Sequence, residues 1–81
     1  IDVVSVKVLG NSILELLFEN GEVRFFDIKS ISNEKPFDKI AKESIFKLAR
    51  VENGTVVWPG EIDIAPETLY DLSVKADRIG V

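Results

Sequence analysis

The sequence predicts an α+β domain. Three observations carry this: period-two stretches rich in β-branched residues fill positions 3 to 28, the period lengthens to that of a helix after Pro36, and short strand-like runs return before a second Pro-led helix. The order read from them is β-β-β-α-β-β-α, arranged as two layers with an antiparallel sheet and helices on one of its faces. Residues 1–72 form the domain, and residues 73–81, where the pattern is weak and Gly80 stands near the end, form a frayed C-terminal tail.

Val3 to Leu9 alternates Val4, Val6 and Val8 against Ser5 and Lys7, then stops at Gly10-Asn11, as a strand ending in a turn does. Ser12 to Phe18 and Glu22 to Ile28 follow as two more strands. Between them lies Asn20-Gly21, the dipeptide that most readily supplies two positive φ angles in a type I′ hairpin. A two-residue loop there sets Phe18 opposite Val23, Leu17 opposite Arg24 and Leu16 opposite Phe25. One face of the sheet then carries Leu14, Leu16, Phe18, Val23 and Phe25, and the other Ile13, Leu17, Phe26 and Ile28. Neither face is polar, so helices are expected on one and another chain on the other, making a homodimer an expectation of the pattern.

From Pro36, Phe37, Ile40, Ala41, Ser44, Ile45, Leu48 and Ala49 fall on one helical stripe, with Asp38, Lys39, Lys42, Glu43 and Lys47 opposite. Pro36 suits the first turn, where a missing N–H removes no internal bond. Phe46 is off the stripe, which predicts a break or bend near Lys42 to Ser44. Val51 to Trp58 reads as a strand or hairpin around Asn53-Gly54, Pro59-Gly60 as a turn, and Glu61 to Ile64 as a short strand. Pro66 opens a last helix, Glu67 to Leu72, with Glu67 near the positive end of its dipole.

Composition narrows the chemistry. The 81 residues contain no Cys and no His, which removes disulfides, thiolate nucleophiles, Cys-based zinc sites and every Ser-His or Cys-His arrangement. Hydrophobic residues make up 46% and charged residues 30%, enough apolar content for one core and far from the disordered regime. No apolar run approaches the roughly 20 residues of a membrane span, so a cytoplasmic protein without membrane contact is expected. Ile1 as the first residue leads us to expect native residues before it. The ten Lys and Arg against 14 Asp and Glu give a net charge of −4, and each half of the chain holds five basic and seven acidic side chains. The one bias is between Val51 and Val74, where Glu52, Glu61, Asp63, Glu67 and Asp71 meet no Lys or Arg. Phosphate backbones would be repelled there, so direct nucleic-acid binding is not expected.

Asp27, after Phe26 at a strand end, and Asp63, in the last strand, are the acids with the most constrained positions. Asp27 could serve as base or metal ligand if burial raised its pKa, but capping the chain that leaves the strand is the commoner role. For Asp63 a hydrogen bond to the Pro59-Gly60 turn or to the last helix is expected. Trp58 and Tyr70 each join a large apolar face to one polar tip, which suits either a core lid, with Tyr70 packed over the strand of Trp58, or an interface anchor. No phosphate-binding glycine pattern occurs, and the Lys39, Lys42, Lys47, Arg50 row reads as a solvated helix face.

The string Gly54, Val56, Val57, Trp58, Pro59, Gly60, Asp63, Ile64, Pro66, Glu67, Thr68, Leu69, Tyr70 resembles domain-of-unknown-function family 2442, a family of small bacterial proteins. Phe18, Asn20-Gly21, Phe26-Asp27, Phe37 and Phe46 agree with it, so the resemblance spans roughly Val3 to Leu72. It implies an α+β fold and no assigned activity. Some similar proteins carry a following helix-turn-helix domain, and some are encoded in pairs that look like toxin and antitoxin. No such extension follows within the 81 residues, so direct operator binding by them is not expected.

The function expected from these readings is non-catalytic: an acidic protein-interaction module, the antitoxin-like member of a two-gene pair, whose partner is a small basic toxin-like protein. Its candidate partner-binding residues are Trp58, Glu61, Asp63, Glu67, Tyr70 and Asp71. No catalytic residue, cofactor or metal is assigned. The alternative is a carboxylate-based enzyme or small-ligand-binding domain using Asp27, Asp63 or Tyr70 in a cleft. A third reading, nucleic-acid binding by the sheet, has only Phe25 or Phe26 beside Arg24 in its favour.

Overall fold

A computed structural model describes residues 1–10, 12–31, 33, 37–40 and 42–76. Asn11 of the expected first turn, Pro36, Ala41 and residues 77–81 of the expected tail lie outside the described residues. The chain forms two antiparallel sheets and a few short helices, so the α+β class holds. The first sheet has the order β1 (Val3–Leu9), β2 (Ile13–Phe18), β3 (Val23–Asp27), β7 (Val74–Lys75). The second is a meander of β4 (Arg50–Glu52), β5 (Thr55–Trp58) and β6 (Ile62–Ile64). Between the meanders lie a 3-10 turn at Ile28–Ser30 and the helices α1 (Phe37–Ile40) and α2 (Glu43–Phe46), while α3 (Pro66–Leu72) precedes β7. Two sheets replace the single sheet expected. A backbone bond from Val3 N to Gly54 O, 2.9 Å, ties the edge of the first to the turn of the second.

The β2–β3 hairpin departs from its expected register. Gly21 N donates to Phe18 O and Phe18 N to Glu22 O, both at 2.9 Å, so the loop is Glu19-Asn20-Gly21 rather than Asn20-Gly21. Only Gly21 of the three has a positive φ, +87°, which is a type I turn closed by a glycine bulge and not a type I′ turn. Leu14 therefore faces Phe26, Leu16 faces Arg24 and Leu17 faces Val23. A slip of one residue exchanges the faces of a strand. Phe26 and Ile28 join Leu14, Leu16 and Phe18 in the core, whereas Val23 and Phe25 turn outward.

A second irregularity acts on β1. The register shifts between Val3 and Ser5, so Val4 is an extra, exposed residue and Val3 takes the buried place that simple alternation gives to Val4. Val6 and Val8 pack against the core as expected.

The expected 36–49 helix is broken into α1 and α2, separated around Lys42. The break lets Phe46, off the stripe of a straight helix, reach 3% exposure, and Leu48 is left outside at 49%. Phe46 stacks on Trp58 with ring centroids 6.4 Å apart, and Trp58 Nε1 donates to Phe46 O at 3.1 Å. Around this pair Val56, Ile62, Ile64, Ile40 and Leu69 complete one core with the first sheet. Each such fully buried side chain stabilises the fold by about 1.5–3 kcal/mol.

The expected tail begins instead as structure. Ser73 is buried, and Val74 and Lys75 pair with Phe25 and Arg24 on the free side of β3. Among the described residues no helix is long and apolar enough to cross a membrane.

Candidate functional site

Alternation along the second sheet divides its side chains. Val56, Trp58, Ile62 and Ile64 point to the core, which leaves Arg50, Glu52, Val57 and Asp63 on the outer face. The Pro59-Gly60 turn delivers Glu61, in the left-handed region at φ +62°, to the rim of that face. An open groove of about 430 Å³ results, lined by Arg50, Glu52, Asp63 and the β5–β6 stretch from Val57 to Ile62, which includes Trp58. Arg50 already binds Glu52, with both Nε and an outer guanidinium nitrogen 3.0 Å from Glu52 Oε2. Both partners are more than half exposed, so the pair adds at most about 1 kcal/mol to stability. Its consequence is electrostatic: the one basic side chain lining the groove is engaged by Glu52, and none is paired with Glu61 or Asp63.

Of the other residues singled out in the sequence, Glu67 and Asp71 are exposed one turn apart on α3. They do not line the groove. Trp58 requires a correction: it belongs to the groove's lining, but its side chain is core, 2% exposed with its N–H satisfied, so it does not offer a surface anchor. Asp27 caps the 3-10 turn, its Oδ1 accepting from Lys29 N at 2.9 Å, which is the capping role expected of it. Asp63 makes no hydrogen bond to the Pro59-Gly60 turn or to α3 among the described residues. Asp27, Asp63 and Tyr70 stand in three separate surroundings: the 3-10 turn, the outer face of the second sheet, and the ring of Phe18. Among the described residues no group of three acidic, His or Cys side chains is disposed to hold a metal ion.

Tyr70 belongs to a second site that local sequence reading missed. It packs edge-to-face on Phe18, centroids 5.1 Å apart, rather than over Trp58, and its hydroxyl donates to Glu22 Oε2 at 2.6 Å. Arg24 lies over the Tyr70 ring, 4.2 Å from its centroid. Its guanidinium donates to Glu22 Oε1 at 2.9 Å, to Ser73 Oγ at 2.7 Å and to Ser73 O at 2.9 Å. Asn20 Nδ2 adds a bond to Glu22 Oε2 at 2.7 Å, and Lys75 Nζ stands 4.0 Å from Glu22 Oε1. The Tyr70 hydrogen bond, helped by Arg24, Asn20 and Lys75, holds the Glu22 carboxyl below its ordinary value although partial burial opposes this. The same bond, with burial and the Glu22 charge, raises the Tyr70 phenol above its ordinary value. This clasp closes α3 and β7 onto the first hairpin. Every strong donor in it faces an acceptor within the domain, so its geometry describes a fastening.

The fold and these two sites define a small α+β domain with an open acidic groove on one sheet and a polar clasp on the other. Residues 3–75 match the model of a family described as protein of unknown function, DUF2442, and the chain belongs to that family. The match ends at the last residue of β7, so the strand fastened by the clasp is part of the family unit. No curated protein and no solved structure matches the chain.

Proposed function

We propose that this chain is a non-catalytic interaction module of the bacterial cytoplasm, which receives a small basic protein on the acidic outer face of β4–β6. The observation that carries the reading is the groove, where Arg50 is engaged by Glu52 and the exposed Glu61 and Asp63 remain uncompensated. Glu67 and Asp71 on α3 extend the negative potential that steers a basic partner toward the domain. The two-layer arrangement read from the sequence suits this role, since helices on the inner side leave the outer side of a sheet open. An antitoxin-like place in a two-gene pair accords with the family resemblance.

The test is co-expression with the product of the adjoining gene, followed by co-elution at low and high salt for the wild type and for Glu61→Lys with Asp63→Lys. The proposal expects a salt-sensitive complex that the double reversal weakens by about tenfold or more. Failure to co-elute at low salt, or a complex indifferent to the reversal, would overturn it. Tight binding of a divalent cation in the groove, or turnover of a substrate, would favour the carboxylate-based alternative instead.

A further inference from the structure

An asparagine followed by glycine is chemically labile, because glycine brings its backbone nitrogen to the preceding side-chain amide with no Cβ in the way. The chain holds this dipeptide twice, at Asn20-Gly21 and Asn53-Gly54, and both asparagines are exposed on hairpin turns. What holds the reacting atoms differs. Asn20 is bound at both ends of its amide, Nδ2 donating to Glu22 Oε2 at 2.7 Å and Oδ1 accepting from Glu22 N at 3.0 Å. The nitrogen that would attack it is bound as well, since Gly21 N donates to Phe18 O at 2.9 Å. Neither the Asn53 side chain nor Gly54 N makes a hydrogen bond among the described residues.

Backbone geometry sharpens the contrast. Closing the amide onto the next nitrogen makes a succinimide ring, which holds ψ of the former asparagine near about −120°; with φ of about +60° that is the first central position of a type II′ turn. Asn53 already has φ +53°. A flip of the single peptide between Asn53 and Gly54 turns its I′ geometry into II′ while Glu52 stays paired with Thr55. Asn20 has no positive φ, so the same closure there breaks the glycine bulge together with the three hydrogen bonds just named.

We infer that Asn53 is a site of spontaneous covalent modification, its amide converted to aspartate and isoaspartate while Asn20 is spared, and that the change loosens the seam between the two sheets. Gly54 N gives its proton to solvent and attacks Asn53 Cγ. The new C–N bond forms as the Cγ–Nδ2 bond breaks, and Nδ2 takes up a proton and leaves as ammonia. Water then opens the ring, at Cγ to give aspartate or at the Asn53 backbone carbonyl to give isoaspartate, whose chain runs on through Cβ and Cγ. Water is the only other reactant. Either product adds a carboxylate at a crowded point: a Cβ on Gly54 would stand 2.7 Å from Asp2 Oδ2, so the Asp2 carboxyl lies against this turn and like charges meet there. The isoaspartyl form also lengthens the backbone beside Gly54 O, the acceptor of the 2.9 Å bond from Val3 N that ties the first sheet to the second. Neither the acidic groove nor a partner enters into this chemistry.

Incubation of the folded wild type in mildly alkaline buffer at physiological temperature tests it, with mass spectrometry of proteolytic peptides to follow each asparagine and a parallel sample in urea as the unfolded reference. In urea both Asn-Gly pairs are expected to react at similar rates. In the folded protein Asn53 is expected to gain the mass difference between an amide and a carboxyl group about tenfold or more faster than Asn20, whose hydrogen bonds must be given up first. Hydrogen exchange on the separated isoaspartyl form is expected to show the Val3 amide less protected than in fresh protein, with the amides of β2 unchanged. Asn20 reacting as fast as Asn53 in the folded protein would overturn the assignment. So would an Asn53 that stays intact while the unfolded reference reacts at both positions. A Val3 amide equally protected in the isoaspartyl form would overturn the effect on the seam.

Discussion

The chain contains the dipeptide Asn-Gly twice between strands, and it folds differently each time. At Asn53-Gly54 both residues have positive φ, +53° and +78°, and Glu52 pairs with Thr55 across a two-residue loop. At Asn20-Gly21 only the glycine does, Glu19 enters the loop, and Phe18 pairs with Glu22. The local preference for a type I′ turn is the same at both places. What differs is the cost of the resulting register. A two-residue loop at 20–21 would send Phe26 and Ile28 to the face opposite Leu14, Leu16 and Phe18, and would direct Asp27 toward the core. The third loop residue avoids this, and it also brings Glu22 and Arg24 to the side where Tyr70 and Ser73 wait. A turn motif thus proposes a hairpin, and burial along both strands selects its register.

The largest test of this comparison sets two adjacent phenylalanines against each other. Phe26 has no exposed surface, and Phe26→Ala is expected to cost about 3–5 kcal/mol, much of the stability of a domain this size. Phe25→Ala is expected to cost less, about 1–2 kcal/mol, because the ring is only partly buried and gives up less transfer energy. Urea unfolding midpoints decide between this ranking and its reverse.

The turns themselves come next. A Cβ on Gly54 would lie 2.5 Å from Asp2 Cγ and 2.7 Å from Asp2 Cβ, while one on Gly21 would meet nothing within 4 Å. Both glycines sit in the left-handed region, so Gly21→Ala is expected to cost about 1 kcal/mol and Gly54→Ala about 2 kcal/mol or more. Combining Gly54→Ala with Asp2→Gly should bring its cost down to that of Gly21→Ala in the same unfolding assay.

The clasp supplies a comparison in pH. Glu22 is held below its ordinary value of 4.5, so its contribution is present above that pH and is lost as pH falls through the lower, folded-state value. Tyr70 is held above its ordinary value of 10.0, so its contribution is present below that pH and is lost as pH rises through the higher, folded-state value. The clasp therefore supports the fold between these two ends. In Tyr70→Phe the alkaline loss due to this group should vanish and the acid loss should become shallower, as pH-dependent unfolding midpoints would show.

The smallest effect is the most pointed. Deleting Glu19 leaves Asn20-Gly21 as a two-residue loop that still pairs Phe18 with Glu22, so the register survives and the turn changes type. The exposed contacts of Glu19 with Asp2 and with the Ile1 amino group are lost, and a cost of about 1 kcal/mol is expected. A folded deletion variant with an unchanged near-ultraviolet spectrum is the expected outcome, and global unfolding would show that Glu19 does more than lengthen the loop.

Much of the fold was legible because it rests on local signals: the alternation in β1 to β3, the turn at Asn53-Gly54, and Pro66 at the head of α3. The register of the first hairpin was not, since it depends on the summed burial of Phe26, Ile28, Leu14 and Leu16. The β-bulge at Val4 hides in an alternation that reads equally well without it. Val74 and Lys75 are too few to show a period, and become a strand only because β3 offers a free edge. At the candidate site the acids were visible as a charge bias, and Glu61 and Asp63 do share a groove. Trp58 was ambiguous because one residue type serves both cores and interfaces, and its place was settled by packing on Phe46. The clasp gave no sequence signal, since Glu22 and Arg24 lie 48 and 49 positions from their partners Tyr70 and Ser73.

Proton–proton contacts in solution test the central claim, that a three-residue loop sets the register from which core, clasp and outer face all follow. The account predicts side-chain contacts between Leu14 and Phe26, and between the Tyr70 ring and both Phe18 and Arg24. Contacts between Leu16 and Phe25 and between Phe18 and Val23, with Tyr70 distant from Arg24, would contradict it.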